Sequence, residues 1–250
     1  MLLELQKEAL SLISEFDTNK NNYIQVSDEK IISKSTSNKV YVKNKTSLGK
    51  IKRIKFNDTV TGSSIFIGDN LKGSIEITIQ QSKGVVYIGN DCNLREVDIR
   101  TQALGSCVLI GNRISTSGKN KWHTGPFPGS SYSSILIGDD CLFSYDVTVR
   151  ASDGHPVMSF DFTSQLNSPK NFTIIEPYVW VGQDATILKS VRIGACSIVG
   201  SSAVVTKSTP KFSRIFGVPA KFESLEGIWL KDRTEQALSI AKMHMKNNIV

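Results

Sequence analysis

The second half of the chain carries a six-residue repeat, and this repeat constrains the fold more than any other feature of the sequence. A column of aliphatic residues recurs every six positions, at Ile175, Val181, Ile187, Ile193, Val199 and Val205. A column of smaller residues follows four positions behind it, at Val179, Ala185, Val191, Ser197 and Ala203. Because a period of six fits neither an α-helix nor a simple alternating strand, the repeat predicts coils in which each hexapeptide forms one short strand and one turn.

A looser form of the repeat occurs earlier in the chain. Isoleucine–glycine pairs stand at Ile67-Gly68, Ile88-Gly89, Ile110-Gly111 and Ile137-Gly138. We therefore expect an all-β parallel β-helix over residues 61–210, in which the aliphatic columns stack inside a triangular prism. The repeat is interrupted at 117–134 and at 153–172, and these segments are predicted to leave the prism as two excursions. Such excursions are common carriers of binding and catalytic groups.

The two ends of the chain lack the repeat. Residues 3–16 have the apolar pattern of a short amphipathic helix, and residues 1–60 as a whole are predicted to cap the open end of the solenoid. Residues 211–250 form a C-terminal extension, with a helix expected from about residue 233 to residue 246.

Composition excludes several classes of function. The chain has 250 residues and a formal net charge of +7. It contains no apolar run long enough for a transmembrane segment, and charged residues within positions 1–16 do not suit a secretory signal, so a cytoplasmic location is expected. The basic residues are scattered without interleaved aromatic residues, which argues against a nucleic-acid partner.

The four cysteines do not indicate a metal site or a disulfide framework. Cys92, Cys107, Cys141 and Cys196 form no paired motif and have no histidine at metal-ligand spacing. We expect reduced packing residues, and no metal is needed for the chemistry predicted below.

His155 is the strongest catalytic candidate, because it lies at the start of the second excursion. The stretch 150–157 resembles the Ser-Asp-x-His motif of hexapeptide-repeat acyltransferases, in particular bacterial O-acetyltransferases that modify capsular and other surface polysaccharides, including polysialic acid. The resemblance extends to Val179-Trp180-Val181-Gly182 and covers the second half of the chain. It implies a left-handed coil, acetyl-CoA as co-substrate, a carbohydrate acceptor, and a homotrimer with active sites between subunits.

Acetyl transfer to a hydroxyl needs a base that accepts the proton, and a neutral imidazole suits this role near pH 7. We predict that His155 is this base. Two roles are open for Asp153, which either orients the imidazole or caps the turn. Three are open for Trp180, which lines the pantetheine channel, donates to the developing oxyanion or packs at a coil corner.

Two further groups of residues are assigned to the substrates. By resemblance, coenzyme A is expected along Gly182, Ser201, Ser202, Ala203, Lys207 and Lys221, although the lysines are also consistent with an ordinary surface. The acceptor is expected to contact Trp122, His123, Tyr145 and Asp146, with Phe127 and Tyr132 as further aromatic residues of the first excursion.

Other functions on the same scaffold stay open from the sequence. One is N-acetylation of an amino-sugar nucleotide or an antibiotic. Another is a non-catalytic β-helix that serves as an assembly module. A carbonic-anhydrase-like zinc site is excluded within one chain, because only His123 and His155 lie in the coil region and three histidine ligands are required.

Overall fold

The computed structural model describes residues 2–29, 31–33, 37–126 and 133–249, with side chains described from residue 7 onward. The helices are α1 (Leu2–Leu12) and α2 (Glu235–Asn248), with short 3₁₀ helices at Lys20–Asn22 and Lys45–Lys50. The strands are β1 (Ile24–Val26), β2 (Lys39–Val42), β3 (Ile51–Phe56), β4 (Ser64–Ile67), β5 (Lys72–Ile79), β6 (Val85–Ile88), β7 (Asn93–Thr101), β8 (Cys107–Ile110), β9 (Ser115–Thr116), β10 (Asn120–His123), β11 (Ile135–Ile137), β12 (Leu142–Phe143), β13 (Val147–Arg150), β14 (Thr173–Ile175), β15 (Trp180–Val181), β16 (Thr186–Ile187), β17 (Arg192–Ile193), β18 (Ile198–Val199), β19 (Val204–Val205), β20 (Ser213–Gly217) and β21 (Ala220–Ser224). Among the described residues, neither α-helix is long and apolar enough to cross a lipid bilayer.

The strands stack into the three faces of a prism. The first face is a sheet in the order β1-β2-β4-β6-β8-β11-β14-β17, parallel except for the β1–β2 pair. The second face contains β9, β12, β15, β18 and β20, and the third contains β3, β5, β7, β10, β13, β16 and β19. These two faces form one continuous sheet, because β7 pairs with β9 at its start and with β10 at its end. The predicted all-β parallel β-helix is confirmed.

Both columns of the hexapeptide repeat point into the prism. All eleven residues from Ile175 to Val205 that were assigned to the two columns are buried, each at most 1% exposed. The aliphatic members belong to one continuous apolar cluster that runs from Val40 to Ile215. Each coil therefore removes its apolar side from water only by stacking on its neighbours, which is the physical basis of the repeat.

The corners between strands use left-handed backbone at regular intervals of six residues. The φ angle lies between 58° and 61° at Tyr178, Asp184, Ser190, Cys196 and Ser202. This conformation is uncommon for residues other than glycine. Here it is held by bonds between successive coils, as when Ser202 N–H donates to Gln183 O at 2.7 Å.

The prism begins earlier than the sequence predicts. Strands β2 and β3 pair in parallel with β4 and β5, so the stack starts at Lys39, and the predicted start at residue 61 is wrong by one coil. Helix α1 ends at Leu12 rather than at residue 16. Ala9 and Leu12 of this helix, together with Ile13 just after it, pack on aromatic side chains outside the first face, including Tyr87.

The first excursion is also shorter than predicted. Residues Asn120–His123 form β10, a regular strand of the third face paired with β7 and β13, so the prism is left only after His123. Phe127 and Tyr132 lie outside the described residues. The second excursion runs between the end of β13 at Arg150 and the start of β14 at Thr173, close to its predicted bounds.

The C-terminal extension packs back onto the prism. Helix α2 starts two residues later than predicted and is capped by Thr234, whose side chain accepts from Ala237 N–H. His244, to which the sequence assigns no role, is buried and lies 2.7 Å from Asp140, measured from Nε2 to Oδ2. The ring of Tyr178 stacks on both Trp229 and His244. These contacts fix the extension to the corner between the first and second faces.

The four cysteines are free and buried, as expected from the sequence. Burial raises the pKa of Cys92, Cys107 and Cys196 to about 12, and it raises the pKa of Cys141 as well. None of these thiols is therefore an available thiolate nucleophile near pH 7.

Candidate active site

His155 lies at the mouth of the second excursion, at the corner between the third and first faces. The residue is exposed, and its ring forms no hydrogen bond or ion pair within the described part of the chain. Its backbone is fixed, since its carbonyl accepts from Asn167 Nδ2 at 2.8 Å. A fixed backbone and an open imidazole suit a group that must meet a substrate arriving from outside the prism.

Asn167 organises the excursion. Its Nδ2 also donates to Asp153 Oδ2 at 2.9 Å, while its Oδ1 accepts from Val157 N–H at 2.8 Å. A single side chain thus ties the residues on both sides of His155 to the returning strand of the loop. This makes Asn167 the main local determinant of where the candidate base lies.

Asp153 is not bonded to the imidazole of His155. Its carboxylate instead pairs with Lys189, which follows β16, and with Asn167. Neither contact considered for Asp153 is formed, because the turn is capped by Ser152, whose Oγ accepts from Gly154 N–H at 2.9 Å. Asp153 anchors the beginning of the excursion to the next coil.

The tip of the excursion is unusually apolar for an exposed loop. Phe160 is 104% exposed and Phe162 is 79% exposed, with Val157 and Leu166 also above half. The loop is closed by a short antiparallel bridge between Met158 and Gln165. Several exposed apolar side chains in one loop are typical of a surface that contacts another molecule.

His123 lies on the outer side of the third face, within a cluster of charged residues. Its Nε2 is 3.0 Å from Asp98 Oδ2, and Arg100 donates twice to the same carboxylate, at 2.7 and 3.1 Å. Burial would raise the pKa of Asp98, but the hydrogen bonds from His123 and Arg100 outweigh it and lower the pKa to about 2. His123 is therefore held in a fixed orientation, one strand away from Arg150.

The expectation that Trp122 stacks on the acceptor is wrong. Its indole points into the prism, where it is 0% exposed and packs against Phe143 at a centroid distance of 5.0 Å. The reason is strand alternation, because Trp122 occupies the inward position between Ile99 and Val149. The outward neighbours in β10 are Lys121 and His123.

Five of the remaining predicted residues lie on a different edge of the prism from His155, whereas Lys207 follows β19 and lies at the same corner as His155. Tyr145, Asp146, Gly182, Ser201 and Ser202 lie at the corner between the second and third faces. Tyr145 and Asp146 are exposed there, as are both serines. One whole face separates this edge from His155 within a single chain.

Two of the backbone positions expected to bind coenzyme A are already committed to the solenoid. Gly182 N–H donates to Val199 O, and Thr186 N–H donates to Ala203 O. Gly182 is needed for close approach, since a Cβ there would lie 2.6 Å from Ser201 N. Lys207 and Lys221 are exposed near the C-terminal end of the prism.

Trp180 begins β15 on the second face and is 38% exposed. Its ring centroid is 6.3 Å from that of Trp229 in the C-terminal extension. Part of the indole packs on the extension and part remains open to solvent. Trp180 lies on the second face, whereas His155 of the same chain lies at the corner between the third and first faces, opposite that face.

Sequence reasoning missed Asn167, Lys189 and Asp98. An asparagine in a polar loop carries no signal that distinguishes a clamp from a solvated side chain. Asp98 stands two positions before Arg100 and therefore on the same side of the strand, which is a usable signal once β7 is recognised. Lys189 pairs with Asp153, which is 36 residues earlier in the sequence. The spacing of the repeat does not predict this contact.

The chain folds as a β-helix of hexapeptide coils and is similar to known acetyltransferases in sequence and in structure, so the resemblance predicted from the sequence is confirmed. The sequence is similar to polysialic acid O-acetyltransferases. It is 33% identical to the enzyme of Escherichia coli O1:K1 over 133 residues, which cover 53% of this chain and 40% of that one. It is 27% identical to the enzyme of Neisseria meningitidis over 135 residues, or 48% and 62% of the two chains.

The crystal structure of the polySia-specific acetyltransferase NeuO superposes with a TM-score of 0.63 and 25% identity, covering 79% of this chain and 88% of that one. No family model matches the chain. The matched regions span 40% and 62% of the lengths of the two sequence relatives, so the likeness is to part of each.

Proposed function

We propose that the chain is an O-acetyltransferase that moves an acetyl group from acetyl-CoA to a hydroxyl of a bacterial surface carbohydrate, of the capsular, lipopolysaccharide or sialic-acid type. The observation that carries the proposal is His155, with its exposed, unbonded imidazole on an anchored backbone in a chain similar to polysialic acid O-acetyltransferases. A cytoplasmic location, where acetyl-CoA is made, is part of the proposal.

His155 acts as the general base. The acceptor hydroxyl attacks the thioester carbonyl while an imidazole nitrogen accepts its proton. The tetrahedral intermediate then expels the coenzyme A thiolate, which recovers the proton from the imidazolium. The reaction forms one ester bond and breaks one thioester bond, and it needs no further reactant.

The active site is completed by a second copy of the chain, in a homotrimer. Support comes from the separation of His155 from Trp180 and from the serine-lined edge by a face of the prism. Support also comes from the exposed apolar tip at Phe160 and Phe162, which needs a surface to pack on. Trp180 and Ser201 of a neighbouring copy would then flank the thioester and the pantetheine arm.

Acetyl transfer can be tested with radiolabelled acetyl-CoA and acidic and neutral surface polysaccharides. We expect label in the polymer that is released by mild alkali, because esters are cleaved under conditions in which amides survive. Alkali-stable label would replace the proposal with N-acetylation. No transfer to any carbohydrate would remove it.

The shared site can be tested by mixing the variants His155→Ala and Trp180→Ala, each of which we expect to be inactive alone. In randomly mixed trimers about one quarter of the interfaces combine an intact His155 with an intact Trp180. The acetyl-transfer rate of the mixture should therefore be about one quarter of the rate of the unaltered protein. If the mixture is as inactive as the two separate variants, or if the chain sediments as a monomer, the proposal of a site shared between subunits is wrong.

A further inference from the structure

The outer side of the second face carries an apolar stripe around Trp180. Strand pairing places Leu142, Trp180 and Ile198 side by side on β12, β15 and β18. Leu142 and Ile198 are partly buried against an apolar cluster that includes Trp229 of the C-terminal extension. The residues on both sides of Trp180 are thus covered, while Trp180 itself stays partly exposed.

Trp229 is held in one orientation by Tyr178. The Trp229 Nε1–H donates to the Tyr178 carbonyl at 3.0 Å, and the Tyr178 hydroxyl donates to the Trp229 carbonyl at 3.0 Å. The two rings are stacked, with centroids 4.4 Å apart. Burial alone would be achieved by any apolar side chain of similar volume. The paired hydrogen bonds and the stacked ring instead select one orientation of the Trp229 indole.

Helix α2 supports this pair of rings. The ring of His244 stacks on that of Tyr178 at a centroid distance of 4.9 Å, and its Nε2 lies 2.7 Å from Asp140 Oδ2. Arg113 donates to the two carboxylate oxygens of Asp140 at 2.7 and 2.8 Å. Since Asp140 lies between β11 and β12, the stack formed by His244, Tyr178 and Trp229 is anchored to the prism.

Trp180 contacts the end of this stack. Pairing of β15 with β12 and β18 fixes the backbone of Trp180 but leaves its side-chain torsions free. Its ring lies 6.3 Å from that of Trp229, measured between centroids, and is tilted by 47°. This distance is within the range of attractive contact between aromatic rings. The Trp180 indole is therefore bounded by a fixed ring on one side and is partly open to solvent.

We infer that Trp229 is a positioning residue, which holds the Trp180 indole in the orientation that acetyl transfer requires. The inference rests on the proposed function, in which Trp180 flanks the thioester. Displacement of a group at a reacting centre by about 1 Å can lower turnover by on the order of a hundredfold. A ring that limits the rotamers of Trp180 therefore acts on the reaction without touching a substrate. Residues 211–250 thus serve the reaction as well as the fold.

The kinetic test compares Trp229→Leu, Trp229→Phe and Ile240→Ala with the unaltered protein. Trp229→Leu keeps an apolar side chain in the cluster but has no ring, so kcat should fall by on the order of tenfold while the acceptor KM stays within about twofold. Trp229→Phe keeps a ring and should recover most of the lost kcat. Ile240→Ala is the matched control, because Ile240 packs on the same cluster from helix α2. It should lower the temperature of unfolding and leave kcat within about twofold.

The orientation of Trp180 can be followed without turnover by fluorine NMR of protein that contains fluorotryptophan, since the chain has three tryptophans. The Trp180 resonance, assigned by its loss in Trp180→Phe, should be single and narrow in the unaltered protein. It should broaden or split in Trp229→Leu, because several rotamers become populated. Removal of the Trp229 ring current alone would move this resonance without broadening it. The resonance of Trp122, which is sealed inside the prism, should stay unchanged.

Three results would overturn the inference: equal losses of kcat in Trp229→Leu and Ile240→Ala, no recovery in Trp229→Phe, or a single narrow Trp180 resonance in Trp229→Leu. The NMR measurement does not depend on turnover. If the unaltered protein transfers no acetyl group, the proposed function fails, and the width of the Trp180 resonance still decides whether Trp229 orients Trp180. The two failures are therefore distinguishable.

Discussion

The interior of the prism and the excursion at 153–172 are stabilised in different ways. Inside the prism, side chains such as Ile187 and Ile193 are fully buried and stack on identical positions of the next coil. In the excursion, Phe160 is completely exposed and the local structure depends on the hydrogen bonds of Asn167. The comparison teaches that this chain separates stability from chemistry: repetition holds the scaffold, and a few polar contacts place His155.

The largest effect on stability is expected inside the prism. Ile187→Ala should lower the free energy of unfolding by about 2–5 kcal/mol, because it removes buried methyl groups and leaves a cavity between coils. The matched variant Ile187→Val should cost only about 0.5–1.5 kcal/mol. Urea unfolding followed by circular dichroism measures both. Equal losses in the two variants would mean that this position is not close-packed.

A substitution in the excursion should instead have a large effect on turnover and a small effect on stability. Asn167→Ala removes the bonds to Asp153 and to the His155 carbonyl, and turnover should fall by on the order of tenfold because His155 loses its position. The free energy of unfolding should fall by only about 1 kcal/mol. Steady-state kinetics and urea unfolding provide the two values.

Asn171→Ala is the control for this prediction, since Asn171 lies in the same excursion and only its backbone N–H is bonded, to Ser190. It should leave both quantities nearly unchanged. If Asn167→Ala and Asn171→Ala have the same turnover, the hydrogen bonds of the Asn167 side chain have no functional role.

The stabilisation that Asp98 provides on the outer side of the third face should decrease in acid. The pKa of Asp98 is about 2 in the folded chain, against an ordinary value of about 3.9. Because the folded pKa is the lower one, the stabilisation is complete above about pH 4 and is lost as the pH falls toward 2. Asp98→Asn should therefore be less stable than the parent at pH 7, and the difference should shrink at pH 3. A gap that is constant across this range would contradict the role assigned to the carboxylate.

The same contrast explains what could be predicted from the sequence. The columns through Ile175 and Val179 reveal the solenoid, because one constraint is repeated in every coil. Strand β10 was missed because its inward positions are Asn120 and Trp122, which interrupt the aliphatic period. Residues 40–42 have a β-like pattern, but they were assigned to the cap and not to the prism because Val42 is followed by Lys43 and not by the glycine that marks the later coils.

The site is less predictable than the scaffold for a physical reason. His155 could be proposed from a local motif, but its supports come from Asn167, twelve residues away, and through Asp153 from Lys189. The orientation of His123 likewise depends on Asp98, which lies on the neighbouring strand β7. Such pairings depend on which coils become neighbours, and the spacing of residues along the chain does not specify this.

The most direct test of the central claim is the rate of acetyl transfer by His155→Ala, measured beside its affinity for coenzyme A. Loss of a general base should lower kcat by on the order of 10²–10⁴-fold. The dissociation constant for coenzyme A should stay within about twofold, since the imidazole contacts the acceptor hydroxyl and not the nucleotide. Turnover within about threefold of the parent would show that His155 is not the base.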